Sequence, residues 1–460
     1  MNPAILSRAD LFKELNREIV WEAGGGKHLE VSPKHVVTQN LSTGGPIIFD
    51  LPFIYKGSYN FPQSYLKFKL RINSNDGQAI RDNEVFAING IGHTVWKNIE
   101  LFAGNVPLHT SFQQYGYKRI IEHLLTSKKN NKYHDEMWGY IKRTNDDGND
   151  LDRDTNKLRG GFTEDNALKN KDWVEFIIYP NLDFFNNKTN ILCIDAIKWE
   201  MRLTPQDMRY CLNWCCDYGD DIDTPVNTDL ATSLRRNFHI EIDPSSVKYF
   251  LKVDMFSDDA YNGLIEAGRE RGFIYNYTPT TVKTKTITPG ERMIEDVNFT
   301  PRANPLMYVH TFVCHDGYLG HKKRNPYLFR QPPSLRRISN WFNGELIGEQ
   351  TPIDFEANGG GLKQLYINNL NALQIIGEYD DNLTWGFSDM ARGIFFKIVT
   401  MNPSSESLDL VPMTRPGMHT FRVELSDDEA IAYSCLTYTQ YEPAQVTMFL
   451  DGTVTSTFLV

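Results

Sequence analysis

The feature that most constrains this chain is a two-residue alternation of apolar and charged side chains in several short segments. In Tyr65–Ile72, four apolar residues alternate with two lysines and an arginine, and the same period recurs in Ile197–Leu203 and Val247–Met255. Successive side chains of a β-strand point to opposite faces of a sheet, so this pattern predicts strands with one buried and one hydrated face. The inward positions are expected to include Leu66, Phe68, Leu70, Trp199, Met201, Leu251 and Val253.

Apolar segments of strand length recur along the chain, separated by loops that contain Gly, Pro, Asn and Asp. Aromatic residues, which favour strands, make up 12% of the chain. Many short strands divided by such loops predict an all-β fold built from antiparallel β-sandwiches. The further predicted strands are Trp173–Tyr179, Thr281–Ile287, Leu306–Cys314, Leu335–Phe342, Ile394–Thr400, His419–Leu425, Ile431–Tyr438 and Gln445–Leu450.

Few helices are predicted, and they are short insertions between strands. The candidate segments are Phe112–Ser127, Asp258–Arg271 and Leu362–Ile376. Ser257 stands in the N-cap position of the second segment and Gly272 follows its end, which is the arrangement that helix termini favour.

A strand and a two-residue turn occur in the same order in both halves of the chain. Val95–Phe102 precedes the turn Gly104-Asn105, and Leu335–Phe342 precedes the turn Asn343-Gly344. Such pairs favour tight hairpins because both residue types tolerate positive φ. The repeat suggests two copies of one β-domain, and coincidence is the alternative because hairpins are common.

The length of 460 residues fits two domains of about 200 residues each. The segment Asp217–Arg236 is acidic and contains proline, so we predict that it links them. The expected division is an N-terminal arm at 1–35, a first domain at 36–236 that ends in this linker, and a second domain at 237–460.

The predicted arm carries apolar residues at helical spacing before the triplet Gly24-Gly25-Gly26 ends the pattern. Two interpretations stay open: the arm clasps a neighbouring molecule, or it is a disordered terminus.

Charge and cysteine content exclude several classes of protein. The net charge is -10, whereas proteins that hold nucleic acid through its phosphates are usually basic. The basic run His321–Arg324 is better explained as a hydrated loop. Six cysteines without a paired framework indicate a reducing compartment, and we expect neither a secretory signal nor a transmembrane segment.

The metal-binding patterns in the sequence are incomplete. His310 and His315 have the wrong spacing to share one strand face, and no His-x-His pair occurs. The cluster Cys211, Cys215 and Cys216 lacks Cys-x-x-Cys spacing, so partly buried thiols explain it better than zinc does.

Catalytic and nucleotide-binding patterns are also incomplete. Asp150–Asp154 resembles the start of a calcium loop but lacks the required Gly and closing Glu. Gly24–Lys27 lacks the opening Gly and the Ser or Thr of a phosphate loop, and Gly90–Gly92 lacks the third Gly of a dinucleotide site. Glu266 and Glu270 lie on one face of a predicted helix, where a hydrated surface explains them. We therefore predict no catalytic, cofactor-binding or metal-binding residue, and a protein that is not an enzyme.

Five blocks of the sequence resemble, in their order and spacing, the major capsid proteins of the Maverick/Polinton and adintovirus-like group. In the first block a strand leads through a turn into a Tyr-containing helix that ends in Leu-Leu, and the second contains the turn Asp183-Phe184-Phe185. Together the blocks extend over most of the chain after residue 85. They are Ala87–Thr126, Asp172–Cys211, Ser246–Gly272, Leu306–Gln350 and His419–Gly452.

The resemblance implies a double jelly roll, in which two antiparallel sandwiches stand side by side. Three such chains would form a homotrimer with a pseudo-hexagonal outline, and many capsomers of that shape would tile an icosahedral shell. The implied partners are neighbouring capsomers and penton and minor capsid proteins, with the encapsidated DNA genome contacted only indirectly. The implied location is the virion, assembled inside the host cell, and the resemblance implies no cofactor.

Two other functions stay open. A two-domain β-sandwich carbohydrate-binding protein or hydrolase would need a cleft with converging polar groups. A minor capsid or penton protein would need only one jelly roll, so the doubled plan argues against it.

Overall fold

The computed structural model describes most of the chain between residues 26 and 457. The described residues are 26–75, 77, 80, 85–109, 114–126, 135, 137–140, 173–186, 190–214, 238–300, 304–320, 325–347, 352–355, 360–373, 385–391, 394–401, 417–426 and 431–457. The strands are β1 Lys27–Val31, β2 Ile47–Leu51, β3 Gly57–Tyr59, β4 Tyr65–Ser74, β5 Val85–Ala87, β6 Trp96–Ala103, β7 Val106–His109, β8 Val174–Ile178, β9 Ile191–Leu192, β10 Trp199–Pro205, β11 Leu212–Trp214, β12 Phe238–Ile242, β13 Lys248–Met255, β14 Phe273–Tyr277, β15 Thr280–Ile287, β16 Met293–Thr300, β17 Pro305–Cys314, β18 Leu335–Phe342, β19 Glu345–Ile347, β20 Ile353–Asp354, β21 Lys397–Thr400, β22 Gly417–Leu425, β23 Tyr433–Tyr441, β24 Ala444–Met448 and β25 Val454–Ser456. The α-helices are α1 Ile91–Thr94, α2 Tyr115–Thr126, α3 Asp258–Arg271, α4 His315–Tyr318, α5 Gly360–Ala372 and α6 Phe387–Ala391.

The first sandwich packs a seven-stranded sheet A against a four-stranded sheet B. Sheet A has the order β12-β4-β13-β3-β9, with β8 beside β4 and β1 beside β13, and sheet B has the order β2-β10-β6-β7. Large rings fill the space between the two sheets. The Phe68 ring of sheet A lies 5.4 Å from Trp96 of sheet B, and the Tyr59 ring lies 5.9 Å from Trp199.

The alternation in the sequence sets the faces of these strands, as predicted. In β4, the residues at every second position are buried, and the lysines and arginine between them are partly exposed. All seven residues expected to point inward are buried. The hydrophobic effect thus selects one face of each strand, and the register follows.

The second sandwich repeats this layout with different strands. Sheet C has the order β15-β23-β17-β21, and sheet D has the order β16-β22-β18-β19 with β20 beside β18. Rings of the two sheets interleave, since the His310 ring of β17 stacks 4.0 Å from the Phe421 ring of β22. The pairings within both sandwiches are antiparallel, so the expected fold class of two antiparallel β-sandwiches with a few short helices is confirmed.

Strands β12 and β13 pair with strands of the first sandwich, although we assigned them to the second domain from the sequence. Strand β12 pairs with β4, and β13 lies in the middle of sheet A, between β4 and β3. Residues 238–255 thus complete the first sandwich, although we expected the first domain to end at 236. The sequence period could not reveal this, because alternation shows which face is buried but not which strand lies alongside. The predicted linker Asp217–Arg236 lies outside the described residues.

The end of the expected N-terminal arm is also part of sheet A. Strand β1 pairs with β13 from Lys27↔Val253 to Val31↔Tyr249. The rest of the predicted arm, up to residue 25, lies outside the described residues.

Helices and turns follow the local sequence closely. Helix α3 has the predicted bounds, its N-cap Ser257 accepts a hydrogen bond from the Ala260 amide, and Gly272 follows with a φ of 69°. Helix α2 forms within the predicted segment Phe112–Ser127, whereas α5 overlaps Leu362–Ile376 but begins two residues earlier and ends four residues earlier. At the second hairpin, Asn343 and Gly344 both have positive φ, whereas at the first only Gly104 does.

A small sheet of β14, β24 and β25 lies against the first sandwich, although its strands come from the second half of the chain. The Leu192 amide donates to the Tyr275 hydroxyl at 2.9 Å, and a Cβ on Gly452 would lie 2.8 Å from the Ala196 carbonyl oxygen. None of the helices in the described ranges has the length and apolar character required to cross a membrane.

Candidate functional site at the junction of the two sandwiches

Helix α2 occupies the junction between the two sandwiches. Its apolar side, which includes Ile121 and Leu124, is buried, because residues three and four apart share one helix face. The Tyr117 ring lies 4.8 Å from Tyr327 and 5.9 Å from Tyr318, both of which belong to the second half. The helix therefore belongs to the first half in sequence and joins both halves in space.

A buried ion pair lies beside this helix. Nζ of Lys118 lies 2.8 Å from Oδ1 of Asp183 and 3.5 Å from Oε1 of Glu122, and it donates to the Asn181 carbonyl oxygen at 2.9 Å. Asp183 in turn accepts hydrogen bonds from the amide and hydroxyl of Thr280, at 2.9 and 2.8 Å. Since Thr280 begins β15, the pair fixes the start of the second sandwich to the first.

The charge on Lys118 is held by its surroundings. Burial alone would lower its pKa, but the nearby carboxylates of Asp183 and Glu122 outweigh burial and raise it. Glu122 also accepts a hydrogen bond of 2.9 Å from the Tyr438 hydroxyl of β23, whose pKa is raised first by burial and then by these carboxylates. Lys118 is therefore charged at physiological pH, and the network reaches β15 and β23, which are neighbours in sheet C.

The second half of the chain also packs directly against the backbone of α2 at Gly116. A Cβ on Gly116 would lie 2.6 Å from the Tyr327 hydroxyl, so the ring can pack on the helix only where a glycine stands. Farther along α2, the Trp385 indole donates to the Leu124 carbonyl oxygen at 2.8 Å. Hydrogen bonds, an ion pair and ring packing thus act together to hold the two sandwiches in one orientation.

Four rings form a ladder inside the second sandwich, alternating between its two sheets. Tyr308 and His310 come from β17, and His419 and Phe421 from β22, with successive centroids 3.8, 5.1 and 4.0 Å apart and nearly parallel planes. Burial lowers the pKa of His419 to about 3, and burial and the charge of Lys397 lower that of His310. Both imidazoles are therefore neutral at pH 7.

The residues of the metal-binding and catalytic patterns considered in the sequence lie in separate parts of the structure. Nδ1 of His310 contacts Thr437, whereas Nδ1 of His315 contacts Ser434 on the opposite face of the same strand. Glu266 and Glu270 are exposed on α3, and Cys211 is buried. The motif residues Asp150–Asp154, Cys215, Cys216 and His321–Arg324 lie outside the described residues.

Two other sequence motifs lie wholly or partly within the described residues. Lys27 of the Gly24–Lys27 motif begins β1, and Gly90 adopts a φ of 79° directly before the short helix α1. The Gly92 amide donates to the Trp138 carbonyl oxygen at 2.9 Å, and a Cβ there would lie 2.8 Å from that oxygen. Both glycines therefore serve close packing.

Sequence reasoning did not identify the ionic part of the junction. Lys118 and Glu122 lie in α2, whereas Asp183 lies about 60 residues further on and Thr280 about a hundred residues beyond that. Charged residues are frequent in this chain, and none of these stands in a recognisable motif. Only the turn at Asp183 had been noted, as part of the resemblance.

An open groove of about 640 Å³ lies beside the junction. Its charged residues include Lys97, Asp207 and Arg209, and Arg209 donates to Asp207 from Nε and Nη2 at 3.2 and 2.9 Å. Burial would raise the pKa of Asp207, but the bonds from Arg209 outweigh it and lower that pKa. This carboxylate is therefore ionised and paired, which does not suit a general acid.

No protein-family model matches the chain, and no curated protein matches it. Several solved structures, in contrast, match most of the chain. The mavirus major capsid protein superposes with a TM-score of 0.52 at 11% identity over 94% of this chain and 90% of that one. A chain of the Sputnik virophage gives a TM-score of 0.59 at 10% identity over 96% and 91%. A chain of the PBCV-1 virus capsid gives 0.53 at 8% identity over 95% and 97%.

These likenesses extend over most of the chain and therefore over both sandwiches. At such low identities they define the fold of the chain, which is a double jelly roll. The fold expected from the sequence is thereby confirmed.

Proposed function

We propose that the chain is the major capsid protein of an icosahedral virus. The observation that carries the proposal is the match of both sandwiches to the mavirus major capsid protein and to chains of two other virus particles. Fold alone does not establish function, so the surfaces and the junction must also fit the role.

The junction supports this role because a shell subunit must keep a fixed shape. The ion pair of Lys118 and Asp183, the hydrogen bond from Tyr438 and the packing at Gly116 hold the two sandwiches together over a wide contact. A rigid pair of similar sandwiches presents two comparable sides to its neighbours. Three copies then form a homotrimer with six similar units, which is a pseudo-hexagonal capsomer.

The outer face of sheet D supports association of copies. Met293, Val297 and Met418 expose 59%, 50% and 45% of their surface there. An ion pair of Glu295 and Arg422 lies between Met293 and Val297, so this face combines apolar and charged side chains, as surfaces between protein subunits do. The proposal further includes neighbouring capsomers, penton and minor capsid proteins as partners, the virion as location, only indirect contact with the DNA genome, and membership of the Maverick/Polinton and adintovirus-like group.

We propose that the chain has no catalytic activity. The carbohydrate-binding protein or hydrolase is the competing function, and the groove near Asp207 is the place for it. Its carboxylate is already paired with Arg209, and a glycosidase would need a second carboxyl group opposite the first.

The strand pairing supports a revised division of the chain. We propose that the first jelly roll ends at residue 255 with β13 and that α3 leads into the second. For the part of the predicted N-terminal arm outside the described residues, both interpretations stay open: it clasps a neighbouring molecule, or it is a disordered terminus.

The deciding experiment is the mass of the purified full chain by light scattering, followed by negative-stain imaging of the same sample. We expect about three times the chain mass of 53.0 kDa and particles with a pseudo-hexagonal outline. A chain that stays monomeric across protein and salt concentrations, and that binds a sugar with Asp207→Asn weakening the binding, would favour the competing function instead.

A further inference from the structure

The interior of the second sandwich contains a compact polar cluster where the first contains aromatic rings. Its members are Asp296 on β16, His310 on β17, and Cys435 and Thr437 on β23, all of them buried. Buried polar groups need partners, so a cluster of this kind in a sandwich core requires a physical reason.

Three ligand types converge in this cluster. One carboxylate oxygen of Asp296, one ring nitrogen of His310 and the Cys435 sulfur all lie within 4.8 Å of one another. The Thr437 hydroxyl lies among them, 2.9 Å from Nδ1 of His310, and it donates to Oδ2 of Asp296 at 2.5 Å. Asp296 comes from sheet D and the others from sheet C, so the cluster connects the two sheets.

The hydrogen-bond partners of the Asp296 side chain in the described residues are neutral, and Lys285, whose charge acts on Cys435, donates to the Glu295 carbonyl oxygen instead. Within the described part of the chain, its hydrogen bonds come from the Thr437 hydroxyl and from Nδ2 of Asn298 at 3.1 Å. A carboxylate taken out of water without a cation nearby is costly. A bound cation at this position would remove that cost.

The neighbouring histidine nitrogens point to the same conclusion. Nε2 of His310, Nδ1 of His419 and Nδ2 of Asn340 are buried and form no hydrogen bonds of good geometry within the described ranges, although Asn340 lies close enough to His310 to act on its imidazole. The network of this core is therefore not completed by the described side chains. When one nitrogen of an imidazole binds a metal, the other is usually held by a neighbouring polar group, and Asn340 and His419 lie within reach for that purpose.

The lysine in this core lies on the far side of His310. Lys397 pairs with His310 across β21 and β17, whereas Thr437 pairs with His310 from the other side, on β23. His310 thus lies between Lys397 and Thr437 in the backbone register of sheet C.

We propose that Asp296, His310 and Cys435 bind one zinc ion in the core of the second sandwich, with the Thr437 hydroxyl or a water molecule as fourth ligand. Carboxylate, imidazole and thiolate are the ligands that zinc takes in proteins, at bond lengths of about 2.0–2.3 Å in a tetrahedron. The ligand atoms lie within 4.8 Å of one another and must approach by up to about 1.5 Å on binding, since tetrahedral bonds of that length set them about 3.3–3.8 Å apart.

The proposed complex is balanced in charge. Binding displaces the proton of the Cys435 thiol to solvent, so that a thiolate, a carboxylate and a neutral imidazole surround one divalent ion. No electron is transferred, and the formal charge of the site is zero. The ion would join sheet D to sheet C and thereby stabilise the sandwich, whatever the function of the whole chain.

The first test is the zinc content of tag-free protein that was expressed with added zinc and dialysed against a weak chelator. We expect about one zinc ion per chain by mass spectrometry of the metal, because a buried structural site releases its ion slowly. A content near zero in the folded protein overturns the proposal.

The second test locates the ion with two matched variants. Cys435→Ser is expected to lose most of the zinc, whereas Cys314→Ser, which changes another buried thiol of the same sandwich, is expected to keep it. Equal zinc content in both variants would overturn the assignment to Cys435.

Cobalt substitution in the wild-type chain gives a readout that does not depend on a variant that folds. Bound Co²⁺ should show an intense thiolate charge-transfer band and the visible spectrum of a tetrahedral site. Cobalt bound without the thiolate band would contradict the proposed ligand set.

Discussion

Nζ of Lys118 lies 2.8 Å from Oδ1 of Asp183 in the junction of the two sandwiches, and the two side chains expose only 2% and 5% of their surface. Such a pair contributes less to stability than its Coulomb energy suggests, because both ions lose their hydration. Removal of only one of the two charges destabilises the chain strongly, because the other charge then stays buried without a partner. The pair therefore fixes which surfaces of the two halves meet.

Lys118→Met should destabilise the chain by about 3–5 kcal/mol, because Asp183 and Glu122 then remain buried without a cation. The measurement is the free energy of unfolding in urea. The matched control is Lys34→Met, which breaks the exposed pair of Lys34 and Asp50 with its separation of 3.0 Å. That variant should change stability by less than about 1 kcal/mol. Equal losses in the two variants would contradict the role assigned to the junction.

Gly116→Ala should destabilise the chain by about 1–3 kcal/mol, although alanine favours helices, because its Cβ meets the buried Tyr327 ring. The control is Gly263→Ala in helix α3, where a Cβ meets no atom within 4 Å. There we expect a gain of up to about 1 kcal/mol. Adding Tyr327→Phe should recover part of the loss caused by Gly116→Ala, since it removes the nearest atom. A gain in stability at both glycines would show that Tyr327 can move away freely.

Glu241→Gln should lower stability at neutral pH by on the order of 2 kcal/mol. Burial would raise the pKa of Glu241, but hydrogen bonds from Arg71 and the neighbouring polar groups outweigh it and lower the pKa to about 2. Nη2 of Arg71 lies 2.6 Å from this carboxylate and joins β4 to β12.

The sign of the pH dependence follows from that lowered pKa. The unfolded chain takes up the proton near the ordinary value of 4.5, well before the folded chain does. The contribution of Glu241 is therefore complete above about pH 5 and is lost as the pH falls towards 2. Unfolding measured from pH 7 to pH 3 should show a shallower loss for Glu241→Gln than for the wild type. Glu175→Gln, at an exposed pair of the same sheet, should leave the free energy nearly unchanged.

Gly344→Val should destabilise the second hairpin by about 1–2 kcal/mol, because position 344 has a φ of 87°, which a β-branched residue adopts only under strain. Thermal unfolding is the measurement. Gly45→Ala is the control, because its φ is not positive and a Cβ there meets no atom within 4 Å. It should be neutral or slightly stabilising, since alanine restricts the unfolded chain. A neutral Gly344→Val would mean that the turn changes type at little cost.

Local structure could be predicted from this sequence because local physics determines it. The alternation in β4 follows from burial of one sheet face, and the bounds of α3 follow from the caps Ser257 and Gly272. The double jelly roll itself came from the order of the sequence blocks, which the likeness to solved structures confirms.

Long-range placement could not be predicted in the same way. The alternation in β13 fits a strand of either sandwich, so its position beside β3 and β4 was missed. The cluster of Asp296, His310 and Cys435 is assembled from three strands, and the interval between His310 and Cys435 resembles no metal motif. Tertiary pairing, which one sequence does not record, brings such residues together.

The central position of β13 in sheet A has a consequence for the order in which the protein can be made. A ribosome releases the N-terminal residues first, yet β1, β3 and β4 acquire this shared neighbour only when residues 248–255 have emerged. Until then, the nascent first half carries open strand edges, which can pair with other chains. Translation must therefore pass residue 255 before the first jelly roll can close.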